Sequence, residues 1–419
     1  MSEIAPWTHT QRLGWERRRV RTLGSTASGS GFPPALQGRN NLEIPFYKVK
    51  HLGQASATGC LAEADDSIEI ETATTLGATV FPAGTLVYAK VGAALMLGRV
   101  RTLPRPACID NNMAGLIPDP DAGVDERFLF WALSQIKFDY LVNPGAVPSL
   151  SDRNLLDYPL LVPPLSEQRF IADYLDRETA RIDTLIEEQR RLIDMLQERR
   201  RSVISGALAP REGWRTGRIK HLGSTCLGKM LDAGRADRDG DRLRPYVRAA
   251  DVLANGTVNL ADLNEMPFSD AEMRHFDLRA EDILLIEGGA TVGRPGFLYD
   301  DADGIAFQKT VNRLRASTSM SARFCYWVLL RLYESGYYLS HFSAVSFVHL
   351  TGEKLREIKF AFPELAEQRT IAAYIDEETS KVDALIAETV RFIDLARERR
   401  AALITAAVTG QIEVRNEVA

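Results

Sequence analysis

The sequence predicts an α+β chain of two mixed α/β globules, each followed by one long helix, with the two helices packed on each other as a coiled coil. Three observations carry this. Residues 165–207 and 365–407 are identical at 22 of 43 positions, at a displacement of 200. Both runs lack proline and repeat apolar residues at spacings of three and four. The segments before them hold short alternating apolar runs cut by glycine and proline, the pattern of strands and turns.

The first globule is expected over residues 1–163. Near its start Gly14-Trp15 leads to Leu23-Gly24-Ser25-Thr26, matched 199 positions later by Gly213-Trp214 and Leu222-Gly223-Ser224-Thr225. Pro45-Phe46-Tyr47-Lys48 reads as a strand ending in an aromatic and a base, with Pro245-Tyr246-Val247-Arg248 as its counterpart. SIEIETATTL and GTLVYAKV read as further strands, the latter matching Asp282 to Glu287. RFLFWALSQIKFDYLV, beginning at Arg127, reads as a helix; Arg323 opens its counterpart RFCYWVLLRLYESGYYL. From about Gly31 to Val124 against Met230 to Ser321 the halves diverge, and no alignment is expected there.

The first long helix is expected over 164–208, the second globule over 209–362, the second helix over 363–412 and a tail over 413–419. At about 1.5 Å per residue each 43-residue run spans about 64 Å, longer than a small domain is wide. Such a seam needs a partner, and its own copy is the nearest. The expected seam residues are Ile182, Leu185, Gln189, Leu192 and Leu196, with Val382, Leu385, Thr389, Phe392 and Ala396. If the copies meet about a pseudo-dyad, Leu185 faces Phe392, Gln189 faces Thr389, Glu178 faces Arg399 and Arg199 faces Glu378.

Composition is that of an ordinary soluble chain, and the four cysteines, Cys60, Cys108, Cys226 and Cys325, form no CxxC pair. A disulfide framework and a structural zinc are therefore not expected. No stretch approaches 18 consecutive apolar residues, and the first 20 residues have no secretory pattern, so a cytoplasmic protein without a membrane partner is expected. The net charge of −5 does not itself suggest a nucleic-acid partner. Catalytic signatures are weak. Gly223 to Met230 fits GxxxxGK, but Met230 replaces the hydroxyl residue that would hold Mg²⁺. Gly288 to Gly293 lacks dinucleotide spacing, Asn143-Pro144-Gly145 departs from the methyltransferase NPP-aromatic motif, and the six histidines are scattered. No catalytic or metal-ligating residue is assigned.

Pro163-Pro164-Leu165-Ser166-Glu167-Gln168, Ile171-Ala172, Tyr174-Leu175-Asp176, Ile182-Asp183, Leu185-Ile186, Glu198-Arg199-Arg200 and the closing Ala406-Ala407-Val408-Thr409-Gly410 resemble the repeated regions of the specificity subunit of type I restriction-modification systems. The resemblance covers the whole architecture and implies a non-catalytic subunit. Each globule would be a target recognition domain reading half of a split, asymmetric sequence in double-stranded DNA. The helices, paired antiparallel, would set the spacing and dock two methyltransferase subunits. Restriction-translocase subunits would complete the nuclease. The chain itself would bind no cofactor; S-adenosylmethionine, ATP and Mg²⁺ would sit on the partners. Outward-facing Arg169, Arg177, Arg190, Arg191 and Arg201 are the expected docking residues.

Base contacts require Arg, Lys, Asn, Gln or aromatic side chains at strand ends and loops. The candidates are Tyr47, Lys48, Lys50, Lys90, Asn111 and Asn112 in the first globule. In the second they are Lys229, Tyr246, Arg248, Arg294, Gln308, Lys309 and Asn312. Two other readings stay open on sequence alone: a coiled-coil scaffold between two protein-binding globules, and a nuclease using Asp and Glu around a metal.

Overall fold

The computed structural model describes residues 13–54, 58–143, 145, 147–230, 240–342 and 349–414, so residues 415–419 of the expected tail lie outside it. In chain order the first half contains β1 (Glu16–Arg19), β2 (Gly24–Ser28), β3 (Ile44–Tyr47), β4 (Ser67–Ile68), α1 (Ile70–Thr75), β5 (Leu86–Ala89), β6 (Val100–Thr102), β7 (Cys108–Ile109), β8 (Met113–Pro118), α2 (Glu126–Leu133), β9 (Val142–Asn143), β10 (Ser149–Leu150), α3 (Asp152–Leu156), β11 (Pro159–Val162) and the long α4 (Leu165–Ala207). The second contains β12 (Arg215–Arg218), α5 (Ile219–Leu222), β13 (Gly223–Leu227), β14 (Arg242–Val247), β15 (Asn264–Phe268), α6 (Asp270–Phe276), β16 (Ile283–Ile286), β17 (Pro295–Phe297), β18 (Ala306–Phe307), β19 (Val311–Ala316), α7 (Ala322–Glu334), α8 (Tyr337–Phe342), α9 (Gly352–Glu357), β20 (Lys359–Phe362) and the long α10 (Leu365–Val408).

The two globules have the same sheets through the stretch whose sequences diverge. A four-stranded sheet runs β2-β8-β5-β6 in the first and β13-β19-β16-β17 in the second; a three-stranded sheet runs β4-β3-β7 and β15-β14-β18. In each, β1 or β12 pairs antiparallel with β11 or β20, the strand that feeds the long helix. The Gly-Trp landmark thus opens the strand that holds the helix entry in place. The Gly-Ser-Thr landmark opens the edge strand of the large sheet.

Three element expectations change. SIEIETATTL is a strand only at Ser67–Ile68; from Ile70 it turns helical, with Ala73 buried, because only two residues find a ladder on β3. The helix opened by Asp125 ends at Leu133 instead of running through Val142, and Phe138 returns to the core in a separate short turn. In the second globule the corresponding run breaks at Gly336, whose φ of 71° only glycine adopts readily, giving α7 and α8.

Compactness divides the chain into unit 1, residues 1–190 with 390–419, and unit 2, residues 191–389. Each unit is a globule plus half of each long helix, so the division falls inside the helices. In unit 1 the first globule's core continues through Ile171, Ala172 and Leu175 of α4 to Ile404, Ala407 and Val408 of α10. In unit 2 the core takes in Ile204 and Ala207 of α4 with Ile371, Ala372 and Ile375 of α10. The start of one helix packs with the end of the other in both, which makes the pairing antiparallel.

The buried stripe on α4 runs through Leu175, Thr179, Ile182 and Ile186, then Leu196 and Ile204. On α10 it runs through Ile375, Thr379, Val382, Thr389, Ile393, Ala396 and Ile404. Steps of four and three average 3.5 residues, the spacing of a left-handed coiled coil. Ile182, Leu196, Val382, Thr389 and Ala396 lie in it as expected. Leu185, Leu385 and Phe392 do not: they are exposed, with Ile186 and Ile393 buried beside them. Gln189 and Leu192 are half-buried. The expected ion pairs also change. Glu178 pairs with Arg177 and Glu378 with Lys381 on their own helices, while Asp183–Arg400 in unit 1 and Arg200–Asp383 in unit 2 bridge the two helices at 3.0 and 2.9 Å.

Candidate nucleic-acid interface

Each globule is fastened to its long helix by the repeated landmarks. In unit 1 the Gln168 amide accepts the Asp125 backbone N–H at 2.7 Å and donates to the Pro163 carbonyl at 2.8 Å, tying the helix entry to the N-terminus of α2. Trp131 Nε1 donates to Asp176 at 2.9 Å, and Arg127 reaches Asp173 and Asp176 at 2.7 and 3.2 Å. Unit 2 repeats this set. Gln368 accepts from Ser321 N and donates to Pro363, while Trp327 Nε1 and Arg323 both reach Asp376. Arg323 also lies over four rings, Phe297, Tyr299, Tyr326 and Trp327, at 4.6–5.1 Å. The aromatic-rich Arg-Phe-x-x-Trp motif and the Leu-x-Glu-Gln motif are therefore two sides of one joint.

Although far apart in sequence, the strand ends of each globule gather at one edge. In unit 1, Gly29 N donates to Met113 O at 3.0 Å, Lys90 N to Asn112 O at 2.9 Å, Asp110 N to Tyr47 O at 2.9 Å and Leu150 N to Lys90 O at 2.8 Å. The ends of β2, β3, β5 and β10 thus meet the turn between β7 and β8. A Cβ at Gly29 would collide with the Asp110 carbonyl, so this close approach requires glycine. In unit 2, Gly228 N donates to Val311 O, Glu287 N to Thr310 O and Leu350 N to Glu287 O, and a Cβ at Gly228 would collide with Gln308. These bonds make Asn112 the counterpart of Thr310, Asn111 of Lys309, Asp110 of Gln308 and Lys90 of Glu287.

The candidate residues divide accordingly. Lys90, Asn111 and Asn112 stand at this edge, with Lys90 Nζ 2.7 Å from Ser28 Oγ and both asparagines exposed. Lys48 lies beside them, held by Asp66 at 2.7 Å and Gln37 at 2.8 Å. Lys50 is exposed and paired with Asp65, which the ammonium holds below the usual carboxylate range. Lys309 is exposed at the matching edge of unit 2, Arg248 is half-exposed and paired with Asp251 at 3.3 Å, and Arg294 is half-buried.

Five candidates turn inward. Tyr47 and Tyr246 are core residues, 1% and 4% exposed, on alternate faces of the small sheet: Tyr47 packs into the main core of unit 1, whereas Tyr246, equivalent to Phe46, packs with Met266 and Phe268. Asn312 is fully buried and donates to the Leu350 carbonyl at 2.7 Å, and Gln308 accepts from the Thr310 hydroxyl at 2.8 Å. Lys229 is locked by Pro267 O at 2.6 Å and Glu272 at 2.9 Å, with its ammonium 4.4 Å from the Phe268 ring centroid. The structure adds Ser28, Glu287 and His349 to the edge. Glu287 and His349 meet at 3.1 Å although 62 residues apart, and no local motif marks either.

Among the described residues no three His, Cys, Asp or Glu side chains come together as a metal cluster, and no helix is long and apolar enough to cross a membrane. Residues 13–193 and 211–388 match the family described as the type I restriction modification DNA specificity domain. The chain is 24% identical over 300 residues to the Escherichia coli type I restriction enzyme EcoBI specificity subunit, covering 62% of this chain and 60% of that relative's length. Its fold is that of the HsdS subunit from Thermoanaerobacter tengcongensis, with a TM-score of 0.60 and 16% identity over 97% of this chain and 99% of that one. A chain solved in a study of complex assembly and conformational transition of the type I R-M system matches with a TM-score of 0.69 and 16% identity, over 96% of this chain and all of the other.

Proposed function

This chain belongs to the family of type I restriction modification DNA specificity domains, and from that premise we propose that it is the sequence-reading, non-catalytic subunit of such a complex. Each globule, within the expected limits 1–163 and 209–362, reads one half of a bipartite asymmetric target. The helices set the spacing of the halves and dock methyltransferase subunits, which carry S-adenosylmethionine. Restriction-translocase subunits bring ATP and Mg²⁺.

One observation carries the reading: two edges built by the same backbone bonds present different side chains. Lys90, Asn111 and Asn112 stand where Glu287, Lys309 and Thr310 stand in the other half. Two frames with unlike donors and acceptors suit two unlike half-targets, since base identity is read by the donor and acceptor pattern in the major groove. A lysine at the edge also supplies phosphate attraction that a glutamate does not. Docking is assigned to the exposed arginines Arg169, Arg177, Arg190, Arg191 and Arg201 together with the apolar side chains the seam leaves outside, Leu185, Phe392 and Leu395 in unit 1 and Met195 and Leu385 in unit 2. Exposed patches of this kind mark protein contacts.

The test is a base-resolution methylation map of DNA from cells expressing the chain with its methyltransferase subunit, against cells lacking the chain. A split motif that appears only with the chain, and changes in one half when one globule is exchanged, is the expected result. No new motif despite a stable complex overturns the reading. Mg²⁺-dependent cleavage by the purified chain alone would restore the nuclease alternative.

A further inference from the structure

Unit 1 contains a cleft of about 630 Å³ where β6, α2 and the two long helices meet. Arg101 and Arg400 face it, with Trp131, Ser134, Gln135 and Asp183. Arg400 is matched by Asp183 at 3.0 Å. Arg101 is not matched: Nη1 donates to its neighbour's carbonyl, Val100 O, at 2.7 Å, and Nε is buried without a hydrogen-bond partner. Among the described residues no carboxylate pairs with it. Burial pushes its pKa down, and the nearby Arg99 and Arg400 push the same way. A half-buried guanidinium facing a second cation is costly unless an anion joins them.

The other half of the molecule is an internal control. Ala27 and Cys226 occupy equivalent places, and the ladders carry that equivalence through Gly115 and Arg313 and through Val87 and Leu284 to Arg101 and Gly296. The arginine is therefore glycine in unit 2. There Arg200, the counterpart of Arg400, is matched twice, by Asp383 at 2.9 Å and by Glu334 at 3.5 Å. In unit 1 four arginines, Arg101, Arg190, Arg397 and Arg400, line the cleft against two carboxylates, Asp183 and Glu187, whereas in unit 2 Arg200 alone meets two carboxylates. Drift in solvated surface charge does not explain the first set, because Arg101 is turned inward.

We propose that the unit 1 cleft binds a phosphate group, held by the guanidinium of Arg101 on one wall and that of Arg400 on the other, with Ser134 and Gln135 available as neutral partners. Planar guanidinium forks match phosphate oxygens two at a time. The source is either a free phosphorylated molecule or a phosphate of the DNA backbone.

The experiment is a titration of the full chain with inorganic phosphate, read by thermal unfolding and by ³¹P line broadening, against chloride at equal ionic strength. Saturable broadening is expected, with a rise of roughly 1.5–3 °C in Tm at ten times Kd. Arg101→Gln is expected to abolish both without lowering the Tm measured in chloride, an outcome a merely structural role for Arg101 does not give. Arg101→Lys retains the charge and is expected to keep part of the broadening, which guards against a misfolded variant. Displacement of phosphate by a non-target duplex identifies a backbone phosphate as the occupant, and retained broadening identifies a free ligand. No saturable response in the wild-type chain, or an equal response in Arg101→Gln, overturns the proposal.

Discussion

In the first globule Lys90 follows the end of β5 and in the second Glu287 follows the end of β16, at the same place in the same hydrogen-bonded edge. Around these residues the backbone bonds repeat almost one for one, while the side chains share neither charge nor shape. The joint beneath each globule does the reverse, repeating its Gln, Trp, Arg and Asp in both halves. The contrast shows which demands the fold makes. Joining a globule to a helix needs particular donors facing particular acceptors, so the residues are fixed; holding an edge open needs only the backbone ladder and one glycine, so the side chains there are free to differ.

The sharpest way to break the comparison is at the joint. Trp131→Ala and Trp327→Ala each remove a buried indole and its bond to Asp176 or Asp376, and each is expected to cost about 3–5 kcal/mol in denaturant unfolding. A large inequality between the two would mean that the joints are not equivalent.

A finer distinction lies in the aspartates. Asp376→Asn leaves Arg323, enclosed by four rings, without its acid and is expected to cost about 1–2 kcal/mol, discounted for the partial exposure of the pair. Asp176→Asn is expected to stay within about 0.5 kcal/mol, because Arg127 keeps Asp125 and Asp173. Burial raises the Asp176 carboxyl above its ordinary pKa, against the lowering by the Trp131 and Arg127 contacts. A raised folded pKa contributes stability that is full below the unfolded value and lost as pH rises through the folded one. The Asp176→Asn substitution removes that fall, so wild-type and variant unfolding curves should diverge from about pH 4 upward.

At the edges, Lys90→Ala is expected to weaken DNA binding by the assembled complex about three- to tenfold and to reduce the salt slope by about one, if the ammonium meets a phosphate. Glu287→Ala should leave the slope unchanged or strengthen binding slightly. Equal effects at the two sites would erase the asserted asymmetry. A modest effect belongs to the helix pair: double-mutant cycles on Asp183–Arg400 and Arg200–Asp383 should each return about 0.5–1 kcal/mol of coupling. The Arg200 cycle should also change when Glu334→Gln is introduced, because the Glu334 carboxylate lies 3.5 Å from the Arg200 guanidinium.

Sequence by itself determined the duplication, the two long helices and the position of every landmark in the joint, because those features depend on local periodicity and on residues that serve as each other's partners in both copies. It also placed Lys90, Asn111 and Asn112 at an edge, since turn chemistry between short strands is local. Tertiary structure decided the rest. Leu185 and Ile186 are adjacent and apolar, as are Leu192 and Ile193, so a 3.5-residue seam can be drawn through either member, and only the facing helix selects Ile186. Tyr47 and Tyr246 look like edge aromatics in the chain, but which face of a strand is covered depends on the sheet it joins. Pairings such as Glu287 with His349, and the approach of Arg101 to Arg400 across one cleft, arise from residues brought together over long separations, where no spacing in the sequence records the distance between side chains.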